Sequence, residues 1–242
     1  MILLSCNNKK LIEVVEVPLP TAEEKMIIGD PDDIKAVEGT FQIQELGFKY
    51  DDLTPNIDPM TMELHYAKHY LSYANALNKA IDTTDLKELN IEDVLSKIDP
   101  KNENLINKAG GFYNHNLFWQ SIGNKKLSQP QDSLATKINQ DFGSFSEFKT
   151  QFSYAAKTQI GSGWTWLILD HTGKLQITTT PNNHNPLLKN APVKGKPILV
   201  LDMWEHAFYL NYQTKKNLYV DNFFKIINWK KVSQRFDEVI RK

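Results

Sequence analysis

The chain has 242 residues, of which 41% are hydrophobic and 11% aromatic, enough to bury a substantial core as one large domain or two small ones and too apolar for a disordered chain. A formal charge of -1 gives no whole-molecule attraction for nucleic acid or an anionic membrane, so any pull on an anion must be local. The single cysteine, Cys6, excludes an intramolecular disulfide, and no apolar run approaches the ~20 residues of a membrane-spanning helix.

The opening Leu3-Leu4-Ser5-Cys6 is similar to the lipobox that ends a bacterial lipoprotein signal peptide, where Cys6 would be acylated. Such a peptide also needs a charged start and about 7–15 apolar residues before its cleavage site, and most of that is missing here. Two readings stand: an extracytoplasmic protein tethered to the membrane through Cys6, with its start codon further upstream, or a cytoplasmic protein with an incidental thiol. Residues from about 7 to 42 are rich in Glu, Lys, Asp and Pro without a sustained period. Residues 1–42 are therefore read as an N-terminal arm ahead of the fold.

Asp58-Pro59 marks a helix start, since proline at an early helical position loses no hydrogen bond. Met62, His65, His69 and Tyr73 follow at steps of three or four along one side of a helix that ends near Ile81. Residues 85–98 read as polar loop and a short helix, and 104–122 as a second long helix whose Gly110-Gly111 permits close backbone approach. Paired, the two long helices make an antiparallel hairpin domain over 43–125 with His65 and His115 inward. After a linker at 123–132, residues 133–158 read as helical, with Phe142, Phe145, Phe148 and Phe152 in step. Strands are expected at 163–169, 175–179 and 197–201, the first two joined by the turn Asp170-His171-Thr172-Gly173. Helices at 205–212 and 219–228 close a C-terminal domain spanning 126–242.

His65, His115, Asp202 and His206 sit in aromatic surroundings, and three imidazoles with one carboxylate suit a buried mononuclear metal. The single carboxylate shifts the preference toward iron or manganese. Asp202 ends an apolar strand, where a buried carboxylate needs a partner, and His206 follows one helical turn later, within reach of the same ion. By itself, His65-x-x-x-His69 is a weak signal, because histidines four apart often share a helix face by chance.

Four segments, in order, carry a family resemblance: Pro55-Asn56-Ile57-Asp58 with Thr61-Met62-Glu63-Leu64-His65; Gly110-Gly111 with Asn114-His115-Asn116-Leu117-Phe118-Trp119; Gly161-Ser162-Gly163-Trp164-Thr165-Trp166; and Asp202-Met203-Trp204-Glu205-His206-Ala207-Phe208-Tyr209. From about Phe41 to Arg241 the chain resembles the iron/manganese superoxide dismutases. The resemblance implies an α+β fold, with the N-terminal helical hairpin domain and a C-terminal α/β domain bearing a small antiparallel sheet, the metal between them. It implies superoxide as substrate, converted to dioxygen and hydrogen peroxide. One manganese or iron ion per subunit would be held by His65, His115, Asp202 and His206.

The same resemblance makes His69 and Tyr73 gateway residues rather than ligands, and Trp119, Trp164 and Trp204 an apolar wall. Glu205 and Tyr209 would lie at a homodimer interface, Glu205 bonding His206 of the partner subunit and Tyr209 meeting the partner's His69. Relatives contact the metal-bound solvent with an amide from one of two positions. One matches Gly111, which leans toward manganese. The other falls on Asn183 in ungapped alignment, or on His184 with a one-residue shift. Lys216 stands where relatives have an arginine that fixes the gateway tyrosine. A rival reading keeps the scaffold as a non-catalytic metal-binding protein.

Overall fold

The computed structural model describes residues 28–124 and 127–241, so the Leu3-Leu4-Ser5-Cys6 motif lies outside the described residues. Residues 28–42, expected to be part of an extended N-terminal arm ahead of the fold, are strapped to the helical domain. Pro31 and Phe41 are buried, and Ile28, Ile34 and Ala36 pack against the core. The Asn78 side chain both accepts from the Phe41 N–H and donates to the Phe41 carbonyl, each at 2.9 Å. The apolar residues scattered through this polar stretch are the ones that pin it down.

Helix α1 (Pro59–Glu63) starts where the Asp58 carboxylate accepts the Thr61 N–H at 2.9 Å, capping a donor that has no partner within the helix. The rod continues through a π-helical stretch, Leu64–Tyr70, into α2 (Leu71–Ile81). A wider turn brings residues four apart nearly into line, and such insertions concentrate at functional sites. Here it carries His65 and His69. After α3 (Ile91–Lys97), the 19-residue α4 (Glu103–Ser121) packs back against α2 to complete the hairpin.

The 133–158 run, read as continuous, is two helices, α5 (Asp132–Phe142) and α6 (Phe145–Thr158). Gly143 takes φ +88° and donates to the Asn139 carbonyl, closing α5. Ser144 then caps α6 by accepting the Glu147 N–H at 3.0 Å. Phenylalanine spacing in phase across the break hid it.

Strands β1 (Gly163–Leu169), β2 (Leu175–Pro181) and β3 (Lys196–Asp202) form an antiparallel sheet of order β2-β1-β3. The central β1 and the apolar part of β3 are buried on both faces, which is why both read as unbroken apolar runs. Trp164 pairs with Asp202, placing the carboxylate at the end of the sheet.

Past β3 the chain makes a single 3-10 turn, Glu205–Ala207, then α7 (Tyr209–Tyr212), α8 (Lys216–Ile226) and α9 (Trp229–Arg241). Helix α9 lies beyond the helices at 205–212 and 219–228 that the sequence predicts as the close of the chain. Its pattern was present: Trp229, Val232 and Phe236, at steps of three and four, are all buried. Two backbone hydrogen bonds, Gly123 N–H to Ile226 O at 2.9 Å and Asn228 N–H to Ser121 O at 2.8 Å, tie the end of α4 to the corner between α8 and α9.

Candidate metal centre

One ligand atom from each of His65, His115, Asp202 and His206 lies within 4.8 Å of the others. His65 comes from the π-helical stretch, His115 from α4, Asp202 from the end of β3, and His206 from the turn after it. Asp202 Oδ2 is the focus, 3.2 Å from His65 Nε2, 3.7 Å from His115 Nε2 and 3.0 Å from His206 Nε2.

Local hydrogen bonds decide which atoms remain for an ion. His115 Nδ1 donates to the Gly111 carbonyl at 2.6 Å, so the proton sits on Nδ1 and the Nε2 lone pair faces inward. Asp202 Oδ1 accepts the Trp204 N–H at 2.8 Å, which leaves Oδ2 for the centre. The Nε2 atoms of His65 and His115 are buried without a hydrogen-bond partner, a state that costs free energy unless something else engages them. Three imidazole nitrogens and one carboxylate oxygen converging in this way fit manganese or iron.

Burial lowers the basicity of the histidines: His65 is pushed down to about 4 and His69 to about 3, with His206 adding repulsion to both. His115 is likewise held well below the usual range by burial. For Asp202, burial alone would favour the neutral acid, but the charge and hydrogen bond of His206, with His65, outweigh it and keep the carboxylate ionised. A neutral His65 and His115 beside an ionised Asp202 are protonation states that metal binding requires.

Aromatic rings close the pocket. Trp119 stands 4.7 Å from His65 and Trp164 4.9 Å from His115, both edge-on, while Trp204 stacks on His206 at 5.8 Å. Among the gateway candidates, His69 is 4.1 Å from His206 and 5.0 Å from Tyr73 between ring centres, and Tyr73 stacks on His115. Asn183 is buried, and its Nδ2 donates to the Tyr73 hydroxyl at 2.8 Å and to Asn107 Oδ1 at 2.7 Å. Its Oδ1 accepts from Trp164 Nε1 at 3.4 Å. The His184 ring instead faces Glu103, at 3.1 Å on the protein surface.

Glu205 and Tyr209 both stand exposed. The Lys216 ammonium donates to the Gln159 carbonyl at 2.7 Å, past the end of α6, rather than to Tyr73. Burial lowers its pKa.

The sequence reading missed Asn107, Asn114 and Asn185. Asn114 donates to the Asn183 carbonyl at 3.3 Å and accepts from Asn185 at 3.2 Å, joining the loop after β2 to α4. For Asn114 and Asn185 the signal was chemical: buried amides must be hydrogen-bonded, and Asn114 adjoins His115; Asn107, exposed on α4, carried no such signal.

A helical hairpin and an α/β domain that share a buried pocket of three imidazoles and one carboxylate define a mononuclear redox-metal protein. Residues 40–123 match the family model for the iron/manganese superoxide dismutase alpha-hairpin domain, and 130–235 match that for the iron/manganese superoxide dismutase C-terminal domain. The chain is 42% identical over 204 residues to a superoxide dismutase [Mn] of Acinetobacter baylyi, covering 84% of this chain and 90% of the relative. The chain belongs to the iron/manganese superoxide dismutase family. It is an enzyme that converts superoxide to dioxygen and hydrogen peroxide at a manganese or iron centre.

Proposed function

We propose that His65, His115, Asp202 and His206 hold one ion per subunit, with His69, Tyr73 and Asn183 managing protons beside it. The observation that carries this is the convergence of one ligand atom from each of the four residues, all within 4.8 Å of one another. A bound manganese or iron ion supplies the one-electron couple that takes an electron from one superoxide and gives it to a second. Peroxide formed from that second superoxide needs two protons before it leaves. Burial raises the Tyr73 pKa, so the phenol keeps its proton at neutral pH. Asn183 Nδ2 can only donate, so Tyr73 accepts there and directs its own proton elsewhere. His69, neutral and beside Tyr73, completes the entrance. The tryptophan rings pack against His65, His115 and His206.

Manganese is the preferred metal on this reading. Gly111 offers no amide, and a Cβ there would meet the Tyr73 ring at 2.4 Å, leaving Asn183 as the available amide. The manganese relative supports the same choice. Loading the protein separately with each metal, then measuring metal content and superoxide consumption, tests this. Turnover with manganese exceeding that with iron is expected. Full occupancy with no turnover from either overturns the mechanism.

The working form is a homodimer joined through the α7 face. Exposed Leu64, Tyr209 and Leu210, with α7 packed beside α1, support it. Sedimentation of the wild type and of Glu205→Ala tests it, a monomeric wild type being the contrary result. The lipobox-like motif supports an extracytoplasmic location through acylated Cys6. Palmitate labelling of the native protein and of Cys6→Ser tests that placement.

A further inference from the structure

Two residues before His115, α4 carries Tyr113. At 3.6 residues per turn their side chains leave the helix on nearly opposite sides, the imidazole toward the ligands and the phenol toward α9. Tyr113 is buried, and its hydroxyl closes a polar triangle. Arg235 Nη2 donates to it at 3.0 Å, it donates to Glu92 Oε1 at 3.4 Å, and Arg235 Nη2 also reaches Glu92 Oε1 at 3.3 Å. The Arg235 Nε donates to the Pro197 carbonyl at 2.7 Å. One guanidinium on α9 thus grips α3 and α4 of the hairpin domain and β3 of the other.

The strand it grips runs from Lys196 to Asp202, a ligand, and the helix it grips carries His115, another. These two ligand atoms are 3.7 Å apart, and their spacing depends on how α4 sits against β3. None of Arg235, Tyr113 and Glu92 is among the ligands or the residues that face them.

We propose that Arg235 is a positioning residue of the metal centre: acting through Tyr113 and Pro197 from the far side of α4, it fixes His115 against Asp202 and so sets how firmly the ion is held. The proposal rests on reading the four-ligand pocket as the metal site. The planar guanidinium is suited to this because it presents donors in two directions at once; a lysine ammonium does not reproduce that fork. Removing it strands the buried Tyr113 hydroxyl with one fewer partner and frees α4 to shift.

The test uses the full chain loaded with manganese(II), following release into excess chelator well below the melting temperature, with the optical spectrum of the oxidised, loaded protein as a second readout. Arg235→Leu is expected to speed release roughly tenfold, as for other residues that support a ligand from behind, and to shift the spectrum. Arg235→Lys should fail to restore either property. Tyr113→Phe should speed release less, and the double variant Arg235→Leu/Tyr113→Phe should add little to Arg235→Leu, because both act along one route. Leu134→Ala on α5, buried within the C-terminal domain, serves as a control for lost stability: its release rate and spectrum should stay as in the wild type even where its melting temperature falls as far. Release that tracks melting temperature across all variants, with unchanged spectra, overturns the proposal. A wild type that holds no manganese overturns the metal-site reading itself, and the proposal with it.

Discussion

Asn183 shows how much one side chain can decide. Trp164 Nε1 can only donate, so it draws the amide oxygen, and the amide nitrogen is left for Tyr73 and Asn107. Asn183→Asp keeps the volume but replaces the donating amide nitrogen with an accepting oxygen, so the Tyr73 hydroxyl would turn its hydrogen bond toward the carboxylate instead of toward substrate. Turnover is expected to fall by roughly 10- to 100-fold at unchanged metal content, checked by stopped-flow superoxide decay beside elemental analysis. Unchanged turnover would remove Tyr73 from proton delivery. Residues of this kind were legible unevenly. The four ligands stood out because imidazole and carboxylate are uncommon in aromatic surroundings. Alignment left Asn183 and His184 open, since adjacent residues in a loop point in directions that no periodicity fixes. In the structure the first turns inward to Tyr73 and the second outward to Glu103.

Among the elements, α4 is the most constrained. Two glycines in mid-helix cost about 1 kcal/mol each in propensity, and the structure gives each a reason. A Cβ on Gly110 would lie 2.0 Å from the Asn183 carbonyl oxygen, and one on Gly111 would enter the Tyr73 ring. Gly110→Ala therefore pushes the loop after β2 off the helix. Because backbone rather than a flexible side chain must move, a loss at the upper end of the ~1–3 kcal/mol typical of overpacking is expected, read by thermal unfolding of the metal-free protein. Asp58→Ala, which removes the cap of α1, should cost only about 1 kcal/mol in the same assay. Element boundaries were harder to see than elements. In-phase phenylalanines masked the Gly143 break, and α9 was lost although its apolar spacing is regular. The π-helical stretch has no sequence mark, because the extra residue per turn is settled by packing around His65 and not by local propensity.

For the whole molecule, the buried histidines set a pH limit. Folded His65 titrates near 4 and His69 near 3, against an ordinary 6.5. Between those values and 6.5 the unfolded chain takes up protons that the folded protein refuses, so stability of the metal-free protein rises with pH across this window. It is fully present above about 6.5 and is lost progressively as pH falls toward 4 and below. Urea unfolding of metal-free protein at pH 7.5, 6, 5 and 4 should show a midpoint that drops steadily. The metal-loaded protein should resist until protons displace the ion from the imidazoles. A flat profile for the metal-free protein would mean that its histidines are not held neutral by burial.

The ligands are also far apart along the chain. Asp202 follows His115 by eighty-seven positions, an interval of about 4 to 17 seconds at ordinary rates of synthesis. During that interval the growing chain can offer only the two imidazoles of this four-residue set and not its carboxylate, too poor a donor set to hold an ion firmly. The centre becomes whole only when the second domain has been made and has closed on the first. Capture of manganese or iron is therefore one of the last events of folding, and the ion is drawn from whatever the compartment supplies at that moment.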